Sequence, residues 1–537
     1  NPSKTLIEIP TNKGVHIKSA GIKGEKYVYQ YVAYFRNSEG LPRNKSKIIG
    51  KFDVDTGKMI PNSNYYEMYN VSPAVPELFV SDYGYTYLIF KSCKDLGLFD
   101  CLQGAFGHKT SEIVSCAAYI IRHGNAMDGI DDFQVDNFLP GLNKLLTSQS
   151  CSRLFAEIKP QQLDHFFKKW IDITIKDDIV CYDVRSISSY SKEMPSIEKG
   201  YNGDHEDLSE FNLKMFCRET SKLPLYYNRY DGSLNDKSNL PNVLANAKTV
   251  GIDKVKLIVD GGFMSEACFK SLNESCRAFT IGVPSHLDIF KNIMDENING
   301  INSYANKLAW QEVFCVQKPT SVYGVNGKLM LYFNPGNHSE LCKDLSNRVD
   351  KLSAELSKLK RCPVSKLKRY KDYFILERHE SDSGFNFMVD NTLVDQMRRE
   401  KGFFLLFTTD MAATPEDSLY FYRAKDADEK LFDQIKVDMG GNRIRTHNED
   451  TTDGKIFVTF IAVVIRAYIL GKLDKYLCEN SLSLKRAFNK LENIKIAHDN
   501  STRTCRFIKA ITKQQREILA VFEAVDSIAA SLDSCLR

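Results

Sequence analysis

The sequence predicts an α/β fold with a mixed sheet flanked by helices, because the hydrophobic period changes along the chain. Between 177 and 284, apolar runs typical of strands alternate with two helical stretches. From 285 to 402 that alternation is interrupted by a segment with its own strand-like runs and a basic helix. The α/β pattern resumes at 403, which indicates one core split by a β-containing insertion.

The core elements follow in the order three strands, helix, strand, helix, strand. The helices are expected at about 237–250 and 264–273, and the strands at 179–184, 211–217, 223–228, 255–260 and 277–283. This is the order of a ribonuclease-H-like domain, whose mixed sheet is covered on both faces.

The remaining regions differ in pattern from this core. We divide the chain into six parts: a small basic β-rich domain (1–72), a helical region that is a candidate DNA-binding element (73–176), the first part of the core (177–284), the insertion (285–402), the second part of the core with a candidate catalytic helix (403–470), and a helical C-terminal region (471–537). In the first part, Lys26–Tyr34 alternates like a strand and lysines outnumber acids; a solvated β-domain and a DNA-contacting arm both fit.

The composition is ordinary for a globular protein of several domains. Of the 537 residues, 43% are hydrophobic and 26% are charged. The net charge of +4 is the small difference between 72 basic and 68 acidic residues. Any DNA-binding surface must therefore be local. The best candidate is the helical segment 343–371, which holds ten basic residues, with four acids in it or directly after it. Lys358, Lys360 and Arg361 are its central cations. A solvated helix face is the alternative.

The cysteines and the most apolar stretch restrict which classes of protein fit the sequence. Fourteen cysteines include no CxxC pair, which disfavours a zinc ribbon and indicates reduced thiols in the cytoplasm. The most apolar stretch, Ile456–Leu470, is interrupted by Arg466 and is shorter than the ~20 residues that span a bilayer. We expect a buried core helix and no membrane partner.

Two aspartates end apolar runs, Asp183 after Ile179–Tyr182 and Asp260 after Val255–Val259. Phosphodiester cleavage by two metal ions ~3.5–4 Å apart needs carboxylates that converge from separate segments. Magnesium prefers such oxygen ligands. An aspartate that only forms a turn is the alternative for each position.

A third acid, Glu429, lies on a predicted helix with Tyr422, Lys425 and Lys436. Tyr422 precedes Glu429 by seven residues, Lys425 precedes it by four, and Lys436 follows it by seven. At 3.6 residues per turn, these spacings place all four residues close to one helix face. A metal ligand flanked by phosphate-binding groups fits this face. An exposed helix stabilised by charge pairs four residues apart fits it as well.

These segments resemble the motifs of bacterial insertion-sequence DDE transposases that carry the signature Tyr-x2-Arg-x3-Glu-x6-Lys, and they follow one another in the same order as in that family. Lys425 stands where that family has arginine. Further similar segments are Tyr182–Ser186, Lys199–Asn202, Leu223–Leu225, Asp231–Asp236 and Val259–Phe263, and the resemblance covers roughly 177–470.

The resemblance implies a metal site and a DNA interface. Asp183, Asp260 and Glu429 would hold two magnesium ions, with manganese also supporting activity. Tyr422, Lys425 and Lys436 would contact phosphates near the element's end. Trp310 would stack on a flipped base, although a buried core tryptophan fits as well. Relatives act as dimers on paired transposon ends, commonly through a hairpin intermediate.

The predicted function is that of a DNA transposase. It would bind terminal inverted repeats, hydrolyse a phosphodiester at the element end and join the freed 3′ hydroxyl to target DNA, in the bacterial cytoplasm at the nucleoid. Two alternatives remain open: a ribonuclease-H-like nuclease that does not join strands, and a domesticated DNA-binding protein that does not cut.

Overall fold

In the computed structural model, the chain divides into two compact units, Asn1–Gln162 with Asn448–Arg537, and Leu163–His447. The six-part division predicted from the sequence is finer than this one, and the helix Glu449–Glu479 crosses its boundary between residues 470 and 471. The structure describes all residues except 1–5, 21–24, 37–39, 70–77, 143, 176–178, 190–208, 232–235, 254, 310, 360–366, 379–384, 426–442, 445, 447, 500–503 and 533–537.

A four-stranded antiparallel sheet opens the first unit. Its elements are β1 (Val15–Ala20), β2 (Glu25–Arg36), β3 (Pro42–Phe52), β4 (Met59–Pro61) and helix α1 (Ser63–Tyr69). Val28, Ile49 and Met59 are fully buried and form its small core, against which two tyrosines of α1 pack. This sheet lies within residues 1–72, which the sequence analysis assigns to a β-rich domain.

Helices dominate the rest of this unit. They follow strand β5 (Leu78–Asp82) and are α2 (Gly84–Asp95), α3 (Leu98–Phe106), α4 (Thr110–His123), α5 (Ile130–Asp136) and α6 (Ser148–Ala156). The next helix, α7 (Pro160–Thr174), begins in this unit and belongs to the second unit from Leu163 onward.

The second unit is built on a mixed sheet. Its first elements are β6 (Ile179–Ser189), β7 (Ser209–Arg218), β8 (Pro224–Asp231), α8 (Asp236–Thr249), β9 (Lys256–Val259), α9 (Glu266–Ser275) and β10 (Ala278–Val283). Strand β9 pairs in parallel with both β6 and β10, whereas β7 and β8 continue the sheet antiparallel. These elements match the sequence prediction closely because their apolar runs are long and bounded by turn residues.

The insertion contributes both to this sheet and to a separate layer. Its elements are α10 (Asp288–Asn297), β11 (Phe314–Val322), β12 (Val325–Phe333), α11 (Pro335–Leu356), α12 (Leu367–Lys371), β13 (Phe374–Arg378), β14 (Phe385–Val389) and α13 (Asn391–Glu400). Strand β15 (Phe403–Thr408) lies between β12 and β10, so the sheet order is β11-β12-β15-β10-β9-β6-β7-β8, with β16 (Arg443–Ile444) beside β6. Helix α11 and the β13–β14 hairpin form their own core around Leu352 and Tyr370.

A helix that we label α14 occupies residues 415–425. It is held against the insertion strands, because Leu419 is fully buried beside Met330, Tyr332 and Leu406. The Tyr332 hydroxyl also donates to the Pro415 carbonyl at 2.9 Å.

The C-terminal part of the chain returns to the first unit. Helix α15 (Glu449–Glu479) is followed by α16 (Leu484–Glu492), β17 (Lys495–Asp499), β18 (Thr504–Phe507), α17 (Lys513–Ala520) and α18 (Val525–Ser531). The structure thus adds two strands to the predicted helical C-terminal region. They form a sheet with β5, in which β17 pairs with β5. These two strands are more than 400 residues apart in the sequence, so local patterns do not reveal the pairing.

Helix α15 is the one described helix whose length and hydropathy would allow it to cross a membrane. In its most apolar window, 72% of the residues are buried inside the protein. It packs against α4 and α6 so closely that a Cβ on Gly454 would lie 2.0 Å from the Phe155 carbonyl oxygen. Residues 456–470 therefore form a buried core helix, as predicted.

Candidate active site

Asp260 stands at the carboxyl end of β9, where the strand leaves the sheet. Its backbone is still extended (φ −69°, ψ 152°), and the next three residues form a 3₁₀ turn, Gly261–Phe263. The Gly262 amide donates to Oδ2 of Asp260 at 3.3 Å, and the side chain is 53% exposed. A half-exposed carboxylate at a strand end is available to bind a ligand.

Asp183 lies on the neighbouring parallel strand at the matching level. The paired residues of β6 and β9 include Val180 with Leu257 and Cys181 with Ile258. Asp183 and Asp260 each come two residues after that last pair. Two residues advance each strand by ~6.6 Å and return to the same face, and neighbouring strands lie ~4.8 Å apart. The backbone of Asp183 is described, whereas its side chain lies outside the described part of the structure.

Two glycines allow the chain to close tightly around Asp260. A Cβ on Gly261 would lie 3.0 Å from the Gly282 carbonyl oxygen on β10. A Cβ on Gly282 would lie 2.1 Å from the hydroxyl oxygen of Tyr422. The phenol of Tyr422 therefore rests directly on the β10 backbone, in space that only glycine leaves open.

Lys425, one helical turn after Tyr422, reaches Asp260 itself. Its Nζ lies 3.5 Å from Oδ1 of Asp260, and its side chain is only 3% exposed. Its long apolar stem is covered while the ammonium meets the half-exposed carboxylate. Tyr422 and Lys425 thus bring one face of α14 to the end of β9.

A turn outside the predicted site also holds α14 in place. Lys222, in the turn between β7 and β8, donates to the Ala424 carbonyl at 3.1 Å. Its backbone adopts a left-handed conformation (φ 55°), which is uncommon for a lysine. Sequence reasoning missed Lys222 and Gly282. Only Gly282 carries a local signal, since a glycine inside a strand pattern often marks a close backbone approach.

Several predicted site residues lie outside the described residues: Glu429, Lys436, Trp310, Lys360 and Arg361. Lys358 is described and lies exposed just past the end of α11. Among the described side chains, no three potential metal ligands converge. Of the three predicted acids, only Asp260 has a described side chain, and its oxygen atoms suit a hard divalent cation.

Comparisons with known proteins identify the family. Residues 175–465, more than half of the chain, match the family model described as the transposase DDE domain. No curated protein matches. A solved structure titled "Cryo-EM structure of piggyBac transposase synaptic complex with hairpin DNA (SNHP)" is similar with a TM-score of 0.33 and 10% identity, over 83% of this chain and 76% of that chain. By its family match, this chain belongs to the DDE transposases, DNA transposases that cleave and join DNA with divalent metal ions.

Proposed function

We propose that this chain is a cut-and-paste transposase of the bacterial insertion-sequence type. It binds the terminal inverted repeats of its element, hydrolyses a phosphodiester at each end and joins the 3′ hydroxyl to target DNA. It acts as a homodimer on paired ends, through a hairpin intermediate, at the nucleoid in the bacterial cytoplasm. Asp183, Asp260 and Glu429 hold two magnesium ions, which manganese can replace.

The observation that carries the proposal is the shared level of Asp183 and Asp260 on two adjacent parallel strands. A two-metal site needs a carboxylate from each of at least two chain segments at one place. The parallel pairing of β6 with β9 supports this, because equal steps from the Cys181–Ile258 pair lead to both aspartates. The bound metals would polarise the scissile phosphate and activate the attacking water.

The order of elements supports a ribonuclease-H-like core. Strands β6, β7 and β8 are followed by α8, β9, α9 and β10, the order that the sequence predicted for such a domain. Helix α14 then contributes Tyr422 and Lys425 next to Asp260. The role of Glu429 rests on sequence spacing, since it follows Lys425 by four residues and would continue the same face of a regular helix.

Lys425 has two tasks in this proposal. Without metal, its ammonium balances the charge of Asp260 at 3.5 Å. With metal and DNA bound, it contacts a phosphate near the cleaved bond, and Tyr422 and Lys436 contact neighbouring phosphates. A lysine binds phosphate as a point charge and lacks the bidentate geometry of the signature arginine. Lys358, Lys360 and Arg361 hold the DNA backbone farther from the site, and Trp310 stacks on a flipped base.

The test is cleavage of the inverted-repeat DNA that flanks the coding sequence, with magnesium or manganese present. Asp183→Ala, Asp260→Ala and Glu429→Ala should each reduce cleavage at least a thousandfold while end binding, measured by gel shift, stays within a few-fold. Full cleavage by any one variant would remove that residue from the site.

A second substrate separates transposition from simple nuclease activity. A precut end with a free 3′ hydroxyl is incubated with target plasmid and magnesium, and joined products are counted. Joining by the wild-type chain supports the transposase. Cleavage of intact ends with no joining of precut ends would favour a nuclease.

A further inference from the structure

The hairpin formed by β2 and β3 extends well beyond the core of its sheet. That core, Val28, Ile49 and Met59, lies at the base of the hairpin, next to α1. Toward the tip, residues 32–36 and 41–47 are all exposed. The distal half is thus a two-stranded ribbon that, among the described residues, is open to solvent on both faces.

One face of this ribbon carries a row of cations. Arg43, Lys45 and Lys47 alternate along β3 and therefore point to the same side, at intervals of ~6.8 Å. Phe35 lies opposite Arg43, and Ala33 lies opposite Lys45, so small or flat groups flank the row. A line of evenly spaced cations on an extended backbone complements a phosphate chain.

The other face carries aromatic side chains. The rings of Tyr31 and Tyr34 meet edge to face with their centroids 5.5 Å apart, and the His16 ring lies tilted against Tyr31 at 4.5 Å. Tyr34 is 69% exposed and Phe35, on the cationic face, is 53% exposed. At the end of β2, Nη1 of Arg36 donates to the Gly40 carbonyl at 2.6 Å.

A free two-stranded ribbon is only marginally stable in water, and exposed aromatic groups rimmed by charge mark interaction surfaces. Between 32 and 47 there are four basic residues and one acid, Glu39, so the surface is suited to a polyanion. The major groove of B-DNA, ~12 Å wide, admits a two-stranded β-ribbon. We propose that the β2–β3 ribbon enters the major groove of duplex DNA, with its cationic face toward the DNA and Arg43, Lys45 and Lys47 on the phosphates.

This inference rests on the proposed function, in which the partner is DNA, and it names a segment of the chain that binds the duplex. Binding is tested separately from cleavage, so the two can fail independently. Loss of cleavage in Asp260→Ala with the ribbon intact concerns the metal site. Failure of the ribbon variant to bind DNA differently from the wild-type chain would contradict the ribbon proposal and would say nothing against the metal site.

The first experiment removes the cationic row. The triple variant Arg43→Ala, Lys45→Ala, Lys47→Ala of the full chain is titrated with a mixed-sequence 40-base-pair duplex by fluorescence anisotropy at several salt concentrations. Three lost phosphate contacts should lower the slope of log K against log salt by ~2.7. We expect at least a tenfold loss of affinity at low salt.

A matched control removes equal charge elsewhere. Lys475, Lys485 and Lys513 are exposed lysines of the C-terminal region, and their triple alanine variant should keep the wild-type slope. An equal loss of DNA affinity in both triple variants would mean that only the net charge of the chain matters, and it would overturn the proposal. An unchanged slope in the ribbon variant would also overturn it, as would a preference for single-stranded RNA over the duplex.

The second experiment tests the groove. The duplex is preloaded with methyl green, which occupies the major groove, or with distamycin, which occupies the minor groove. Methyl green should abolish the affinity difference between the wild-type chain and the ribbon variant, whereas distamycin should leave it in place. The reverse result would place the ribbon in the minor groove and overturn the major-groove assignment.

Discussion

Two aspartate–lysine pairs lie at opposite ends of the four-residue strand β9, and they differ in which partner is buried. At the amino end, Lys256 pairs with Asp410, whose side chain is 15% exposed. At the carboxyl end, Asp260 is 53% exposed and its partner Lys425 is 3% exposed. In one pair the carboxylate is enclosed, and in the other it faces solvent.

The difference separates a structural ion pair from a candidate ligand site. Asp410 accepts from Lys256 and from the Ala412 amide, so its lone pairs are engaged by fixed donors. Asp260 accepts from the Gly262 amide and lies 3.5 Å from the Lys425 ammonium, which leaves oxygen capacity toward solvent. Identical residue types therefore form an enclosed ion pair at one end of the strand and a solvent-facing one at the other.

The largest expected effect comes from exchanging each carboxylate for an amide. Asp260→Asn should lower DNA cleavage at least a thousandfold with little change in Tm, because a neutral amide is a poor metal ligand. Asp410→Asn should keep cleavage per folded molecule and lower the stability by ~1–3 kcal/mol, since it disrupts a largely buried charged hydrogen bond. Cleavage assays and thermal unfolding of both variants provide the measurements. Equal losses of activity in the two would erase the distinction.

Local sequence patterns were enough to single out Asp260 but not its surroundings. An apolar run ending in Asp-Gly-Gly marks a strand end, and the helical spacing of Tyr422 and Lys425 marks one helix face. The pairing of Lys256 with Asp410 joins residues more than 150 positions apart, so no local period reports it. For the same reason, local patterns place β12 in an insertion, whereas its pairing with β15 makes it part of the main sheet.

The second prediction exchanges the lysines. Lys425→Met should reduce cleavage about 10- to 100-fold, because the phosphate near the metals loses a cation and Asp260 loses the ammonium group 3.5 Å from its Oδ1. Lys425→Arg, which restores the signature residue, should retain most of the activity. Lys256→Met is the matched control and should change stability alone. Full cleavage by Lys425→Met, measured on end DNA, would remove Lys425 from the active site.

The third prediction concerns the glycine beneath Tyr422. Gly282→Ala would place a Cβ 2.1 Å from the phenol oxygen and 3.0 Å from Cζ, so the ring must move away from β10. We expect a loss of stability of ~1–3 kcal/mol, typical of overpacking, together with reduced cleavage. Denaturant unfolding measures the first effect and end cleavage the second.

Removing the phenol oxygen gives the companion variant. The double variant Gly282→Ala, Tyr422→Phe should recover part of the lost stability, since the 2.1 Å contact disappears and the 3.0 Å contact remains. No recovery at all would show that Tyr422 is not what excludes a side chain at 282.

The smallest expected effect is a pH dependence of stability that comes from Asp410. Burial by itself raises the pKa of Asp410, but the hydrogen bond and charge of Lys256 and the amides of Ala412 and Ala413 outweigh it and lower that pKa. A lowered folded-state pKa adds stability above the unfolded pKa, ~3.9, and that stability is lost as pH falls through the folded value. The stability gap between the wild-type chain and Asp410→Asn should therefore be constant from pH 7 to 5 and shrink below pH 4, in denaturant titrations at each pH. A gap of the same size at pH 3 and pH 7 would mean that the charge of Asp410 does not stabilise this end of β9.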